Sequence, residues 1–369
     1  MTPQPGRGVW VAPGRVNIIG EHTDYNDGYA LPIALPQVVT CTAEATTDAT
    51  VRVSSVQHPG RPVVEPIDGL ADAAVTGWAR YPLGVVYEFE RRGYDLPGVV
   101  LGLDGAVPVG AGLSSSAAVE CAVALAIRDL FALDVELAEL IAIGQAAENS
   151  YVGAATGTLD QSAALLCTAG HALFLDFATG ESAQVPFDLA SAGLQLLVAD
   201  TDTPHRLADG DYGRRRRECE TAARELGVHS LRAITDPGEI RRLADPVLRR
   251  RARHVVTENA RVLTVVELLR DGRDPRAIGP LLTSGHHSLR DDFEVSTAQL
   301  DAAAETAVEA GAHGARMVGG GFGGSVIALT DLERTDSVAA AIRRRFRHDG
   351  FTPPRFFVAV PAAGARRIS

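Results

Sequence analysis

The chain has 369 residues, 46% of them apolar and 22% charged, an ordinary globular composition whose length corresponds to about two domains. Its formal net charge of −11 argues against a general nucleic-acid or anionic-membrane partner. All 35 basic residues are arginine, and the absence of lysine excludes a Walker A loop, a protein-kinase strand lysine and a pyridoxal Schiff base.

The first residues, Met1–Arg7, contain no apolar h-region, and no apolar run is long enough to span a bilayer, so a cytoplasmic protein is expected. A short strand is predicted at Val9–Val11. Between Pro13 and Gly28 charge is concentrated: Arg15, Glu21, His22 and Asp24 lie within ten residues, and Asn26-Asp27-Gly28 signals a turn before the apolar Tyr29–Leu35. Such a loop is open to three readings: a solvated turn, a metal site, or a site for a polyhydroxylated ligand. The metal reading lacks a second histidine or a cysteine at ligand spacing. A sugar, by contrast, needs closely spaced acceptors, and hydrogen bonds to charged groups are worth roughly 1.5 to 3 kcal/mol each.

Val38–Val56 alternates as β-strands do, with a turn at Thr46–Thr50, and Trp78–Arg91 reads as an amphipathic helix with Trp78 and Tyr81 on one face. The glycine-rich stretch Pro108–Ala118 then feeds a helix that is apolar on all sides over Cys121–Ile127. Gly110 and Gly112 permit close backbone approach, and Ser114, Ser115 and Ser116 stand beside the unpaired N–H groups of a first helical turn, an arrangement suited to phosphate. An ordinary loop and cap fits the same residues. A dinucleotide fingerprint fits less well, because Ser115 occupies its third glycine position and Pro108 interrupts the preceding strand.

Glu136–Tyr151 is predicted helical and carries Glu148, Gly153–Gly157 breaks the chain, and Thr158–Gln161 starts another helix. Position alone leaves Asp160 open to two roles, first-turn acid or catalytic group. Organisation changes between Val185 and Gly193. A strand at Leu194–Ala199, helices as far as Glu309, strands at Ala315–Val318 and Val326–Thr330, a helix at Asp336–Arg347 and a strand at Phe356–Val360 give the order of a split βαβ sheet covered on one face by helices. Five glycines around Phe322, in Gly319–Gly324, imply a backbone passing close to something. The arginine runs at 214–217, 249–253 and 343–347 read as solvated helix faces. Cys41, Cys121, Cys167 and Cys219 form no C-x-x-C pair, which points to a reducing compartment and away from a zinc site.

Three of these segments, Arg15–Asn26, Gly110–Ser116 and Gly319–Gly324, resemble the three motifs of the GHMP small-molecule kinases, and the first resembles the galactokinase family signature. Gly157–Gln161, Arg216–Glu220 and Ser288–Ser296 are similar to further segments of that family. The resemblance implies an α+β, two-domain GHMP-kinase fold: residues 1–189 as an N-terminal mixed-sheet domain of the ribosomal-protein-S5 type, and residues 190–369 as a ferredoxin-like C-terminal domain whose last strand is free to return to the first. The active site would lie in the cleft between them. It implies ATP-dependent phosphorylation of the C1 hydroxyl of galactose, with galactose and ATP as partners and no nucleic acid or membrane. A related sugar-1-kinase acting on N-acetylgalactosamine, a uronic acid or arabinose, and a non-catalytic sugar sensor, stay open as alternatives.

Carried over by position, the resemblance makes Asp160 the base and Arg15 its charge-stabilising neighbour. Glu21, His22, Thr23, Asp24, Gly157 and Tyr212 would hold the sugar. Gly110, Ala111, Gly112, Leu113, Ser114, Ser115 and Ser116 would wrap the ATP phosphates, with Trp78 and Tyr81 near the adenine, and Ser116 and Glu148 would hold Mg²⁺. The chain departs from the family pattern in a short segment before Val9, in Thr158-Leu159 where Ile-Met is more usual, and in Ser325 where cysteine is frequent.

Overall fold

The structure, a computed structural model, describes residues 6–154, 156–203 and 211–369. The N-terminal stretch 1–5 and Ala155 of the Gly153–Gly157 break therefore lie outside the described residues. Strand β1 (Arg7–Asn17) is longer than the sequence predicts and takes the first part of the charged motif into the core; Val9, Val11 and Val16 bracket a register shift between Pro13 and Arg15. A shift of that kind re-aims the side chains that follow it. After a 3₁₀ turn at Asp24–Asn26 come β2 (Tyr29–Ala30), β3 (Pro32–Ala45), β4 (Thr50–Ser55) and β5 (Val63–Pro66), with the expected turn between β3 and β4. The next elements are α1 (Arg80–Arg91), β6 (Val99–Gly105), α2 (Ser115–Leu130), α3 (Leu137–Ala146), α4 (Leu159–Leu166), β7 (His171–Asp176) and β8 (Ser182–Pro186).

The sequence does not predict β6, β7 or β8. In β6 the buried Val99, Leu101 and Leu103 alternate with Val100, Gly102 and Asp104, and the glycines and aspartate weaken the strand signal although its residues sit in mid-sheet between β3 and β4. Helix α2 meets the expectation of an all-apolar helix: Ala117, Ala118 and Cys121–Ile127 are buried, and the helix packs on β1 and β3. It is a core element, so the loop before it is anchored in the most rigid part of the molecule.

The second half comprises β9 (Leu194–Asp200), α5 (Asp211–Leu226), α6 (Pro246–Arg270), α7 (Gly279–Asp291), α8 (Ala298–Glu309), β10 (Gly314–Val318), β11 (Ser325–Asp331), α9 (Thr335–Asp349), β12 (Arg355–Ala359) and β13 (Arg366–Arg367). Its sheet runs β10-β11-β9-β12, antiparallel throughout, the strand order of a ferredoxin-like split βαβ unit. The first sheet runs β13-β1-β3-β6-β4-β5 and is mixed, with β4 parallel to β6, while β2-β7-β8 forms a small third sheet. Thus β12, the predicted last strand, stays in the second sheet. It is the further short strand β13 that pairs with β1, Trp10 opposite Arg367.

Two sequence expectations are corrected. The second sheet is covered on both faces, because alternate β9 residues divide between two cores: Leu194, Leu196 and Val198 join the large cluster built on the first sheet, whereas Leu197 and Ala199 pack with Val338, Ile342 and Phe346 of α9. The arginine runs are not wholly solvated either. Arg215 and Arg251 are buried, the first donating to the Phe293 carbonyl at 2.6 Å and the second pairing with Glu218 at 2.7 Å and Glu294 at 2.5 Å, so that they staple α5, α6 and the segment after α7 together. All four cysteines are unpaired and buried. Among the described residues no helix is long and apolar enough to cross a membrane.

Candidate active site

A cavity of about 470 Å³ opens between the two halves and gathers Arg15, Glu21, His22, Asp24, Tyr81, Gly110, Gly112, Leu113, Ser114, Ser115, Ser116, Gly157, Asp160 and Tyr212, with Gly319 and Gly320 on its far side. Residues separated by up to three hundred positions in the chain thus share one wall. At its centre Arg15 donates from Nε and Nη2 to Oδ1 of Asp160, at 2.8 and 2.7 Å, and from Nη1 to the Gly112 carbonyl at 2.6 Å. The other carboxylate oxygen of Asp160 accepts from the Ser114 hydroxyl. Asp160 sits in the first turn of α4 but caps nothing, and the cap of that helix, Thr158, makes no side-chain hydrogen bond. The carboxylate is spent on the strand before it and the loop beside it.

Ser114 adopts a left-handed conformation, φ 58°, at the start of α2, and no side chain caps that helix. The first-turn N–H groups are therefore left for a ligand, as a phosphate cradle requires. The loop is braced from the second sheet as well, since the Ser325 hydroxyl donates to the Ala111 carbonyl at 2.7 Å. Serine at the position where the family often has cysteine supplies a full hydrogen bond there.

The sugar-motif residues are held by backbone and aromatic contacts. Glu21 accepts from Asn17 Nδ2 at 2.9 Å and from the Gly319 N–H at 2.8 Å, and burial raises its pKa against the pull of Arg316 and Arg15. Gly319 also approaches the phosphate loop so closely that a Cβ on it would lie 3.0 Å from the Gly112 carbonyl. The glycine run around Phe322 thus touches both the Glu21 segment and the loop that carries Gly112. His22, at φ 63°, lies 3.2 Å by Nε2 from the Gly320 carbonyl and 2.7 Å by Nδ1 from the Tyr25 hydroxyl. A carbonyl only accepts, so Nε2 carries the hydrogen and Nδ1 accepts from Tyr25. Burial, then His254, pushes the imidazole down to about 3. Both nitrogens are taken, and the ring offers the cavity its surface against Tyr212 at 5.2 Å. Asp24 is pushed up to about 7 by burial and by the charge of Asp160.

Glu148 lies just behind the cavity wall, in a π-helical turn at Ala147–Val152 that ends α3. Its Oε1 accepts from Ser116 at 2.9 Å, and its Oε2 accepts from Thr156 at 2.9 Å and Gln161 at 3.0 Å. Gln161 also donates to the fully buried Glu120 at 3.0 Å. Burial and Asp160 raise Glu148, while burial and Glu148 raise Glu120 well above the carboxylate range. Among the described residues no group of three or more His, Cys, Asp or Glu is arranged to hold a metal ion.

Of the residues expected from the sequence, Thr23, Ala111, Trp78 and Glu148 do not line the cavity. Thr23 is fully buried, with its hydroxyl within 2.8 Å of the Gly20 carbonyl and 2.6 Å of the Tyr29 carbonyl, where it closes the turn of the sugar loop. Trp78 stacks on His58 at 5.4 Å, while Tyr81, three residues on, does reach the wall. The sequence reading missed Asn17, Thr156, Gln161, Glu120 and Arg217, of which Thr156 and Arg217 line the cavity. Gln161 adjoins Asp160 and was within sight; nothing in the spacing marks Glu120, which is hidden among the buried apolar residues in the middle of α2.

Comparison with known proteins agrees with this geometry. The chain matches the galactokinase galactose-binding signature over residues 2–45, the GHMP kinase N-terminal domain over 80–168 and the GHMP kinase C-terminal domain over 265–348. It is 48% identical over 365 residues to a galactokinase of Streptomyces coelicolor, covering 98% of this chain and 94% of that protein. It is 45% identical over 358 residues to a galactokinase of Mycobacterium bovis, covering 96% and 97%. The crystal structure of Lactococcus lactis galactokinase complexed with galactose superposes with a TM-score of 0.94 at 32% identity, over 98% of this chain and 95% of that one. A charged strand-and-turn motif, an uncapped serine loop and a glycine run converging on one cavity, in a chain this similar to its relatives over its whole length, make it a member of the galactokinase family within the GHMP kinases.

Proposed function

We propose that the chain transfers the γ-phosphoryl group of ATP to the anomeric C1 hydroxyl of galactose, giving galactose 1-phosphate and ADP. The observation that carries the reading is the Arg15–Asp160–Ser114 triangle: one carboxylate oxygen faces the arginine and the other faces the phosphate loop. An alcohol attacking phosphorus needs an acceptor for its proton and a positive charge beside the transferring group, and this pair offers both without lysine. Asp160 is assigned as the base and Arg15 as the group that holds it and offsets charge developing on the phosphoryl oxygens.

Glu21, Asp24 and Tyr212 are assigned to the sugar, and His22 to shaping its pocket. The N–H groups of the Gly110–Ser116 loop are assigned to the ATP phosphates, with Tyr81 towards the nucleotide's base. Mg²⁺ fits the residues present: Ser116 Oγ and Glu148 Oε1 are oxygen donors 2.9 Å apart, and the buried Glu148 and Glu120 repel each other and the partly exposed Asp160, a repulsion that a cation relieves. The ion would neutralise charge on the ATP phosphates when bound. The same proposal takes residues 1–189 and 190–369 as the two domains. It also sets the enzyme in the cytoplasm, where ATP is supplied and unpaired cysteines are stable. A coupled ADP-release assay over a panel of hexoses tests it: galactose should be turned over far better than glucose or N-acetylgalactosamine, and equal rates would overturn the assignment.

A further inference from the structure

We propose that helix α6 is a splint for the sugar loop, and that its buried residues His254, Glu258 and Asn259 are positioning residues for galactose although none of them lines the cavity. The proposal rests on the assignment of Glu21 and Asp24 to the sugar. The three residues stand at i, i+4 and i+5, one face of the helix, and each takes one backbone group of the loop between Gly20 and Tyr29. His254 Nε2 lies 3.0 Å from the Glu21 carbonyl, Glu258 Oε1 accepts the Gly20 N–H at 3.0 Å, and Asn259 Oδ1 accepts the Tyr29 N–H at 3.0 Å.

These groups are themselves fixed. Because a carbonyl only accepts, His254 carries its hydrogen on Nε2, and Nδ1 accepts from Ser288 Oγ at 3.0 Å. Glu258 pairs with the fully buried Arg316 at 2.7 Å and with Arg261 at 2.8 Å. His254 and Glu258 are entirely buried and Asn259 nearly so. Burial alone would raise the Glu258 carboxyl, but the two arginines more than reverse this and keep it ionised. The face that α6 shows to the sugar loop could have been apolar, as the part of the helix that carries the buried Val262, Val265 and Val266 is; three buried polar groups are costly and are retained where a geometry has to be set. What they set is both ends of a loop that carries Glu21 at its first end and Asp24 in its middle. A displacement of about 1 Å there is enough to misplace acceptors that read hydroxyl orientation. The loop belongs to the first half of the chain and α6 to the second, so the sugar site depends on the second half through backbone as well as through Gly319.

The test uses the full-length enzyme with Asn259→Ala and His254→Leu, a rescue variant His254→Gln that restores a donor, and Asp24→Asn as a reference for the sugar site itself. KM for galactose should rise about tenfold in Asn259→Ala and His254→Leu, KM for ATP should stay at its wild-type value, and His254→Gln should recover part of the loss. In the wild-type enzyme, galactose alone should slow hydrogen exchange in peptides spanning 246–270, and this measurement decides the matter if the variants do not fold. Folded variants with unchanged galactose KM, equal rises in both KM values, or exchange in α6 indifferent to galactose would each overturn the proposal. Asp24→Asn separates the two ideas: unchanged galactose KM there overturns the sugar assignment, whereas a raised KM there beside normal α6 variants overturns the splint alone.

Discussion

Gly157 stands so close to Asp24 that a Cβ placed on it would lie 1.9 Å from the Asp24 Oδ2 atom. The short segment before α4 and the sugar loop are thus fitted to each other through the absence of a side chain. Gly157→Ala should push the Asp24 carboxylate out of place and raise the galactose KM by roughly ten- to a hundredfold, the worth of one charged hydrogen bond of about 1.5 to 3 kcal/mol. Steady-state kinetics with each substrate varied in turn would show it, and an unchanged galactose KM would detach Asp24 from the sugar.

Asp160→Asn is nearly isosteric. Since the Asp160 side chain caps no helix, the change should leave thermal stability and galactose affinity close to wild type while kcat falls by at least about 10². Near-normal turnover in the folded variant would mean that the base lies elsewhere. Arg15→Met should lower kcat too. It should also loosen the phosphate loop, because the arginine bond to the Gly112 carbonyl goes with it, so that ATP affinity falls in this variant and not in Asp160→Asn.

The position of Asp24 near pH 7 has a direction that can be worked through. If Asp24 accepts from sugar hydroxyls as proposed, it is needed ionised, so galactose affinity should improve as pH rises through about 7, and that inflection should vanish in Asp24→Asn. In the unliganded protein the linkage runs the other way. A carboxyl whose pKa is raised in the folded state adds stability below its ordinary value of 3.8, and this contribution is lost as pH climbs through about 7. Chemical denaturation of wild type and Asp24→Asn across that range would show the gap between them change by this sense; an unchanging gap would refute it.

Glu148→Gln keeps the side chain's shape but leaves one acceptor oxygen where the carboxylate offers one to Ser116 and the other to Thr156. The Mg²⁺ concentration giving half-maximal rate should rise severalfold while galactose affinity, measured calorimetrically without nucleotide, holds. Unchanged Mg²⁺ dependence would take Glu148 out of the metal site.

The elements that the sequence predicts well are those with an unbroken apolar run. Helix α2 declared itself by a run that is apolar on all sides, and β9, β10 and β11 by short runs next to glycine punctuation, almost every residue of which is buried. Strand β6 was hidden because it is short and carries Gly102, Asp104 and Gly105, residue types that strands avoid, and β13 because two arginines on an edge look like a tail. At the site, Arg15, Glu21, Asp24 and the serines were legible as concentrated chemistry in short stretches. Glu120, Gln161, His254 and Asn259 were not, since each acts through a partner 13 to 233 residues away and no local pattern records such a meeting. The buried Arg215 and Arg251 misled for the same reason: in sequence, an arginine run looks the same whether its carboxylates come from solvent-facing neighbours or from the far end of another helix.

The missing cap on α2 reaches beyond catalysis. An N-cap side chain contributes about 1 kcal/mol to a helix, and here the Ser114 hydroxyl is given to Asp160 instead. The empty enzyme carries that deficit at the end of its most buried helix, and an anion seated on the exposed N–H groups removes it, adding the usual mass-action term to stability. The protein's resistance to heat and proteolysis should therefore rise and fall with the nucleotide supply around it, making its lifetime in a starved cell shorter than in a fed one.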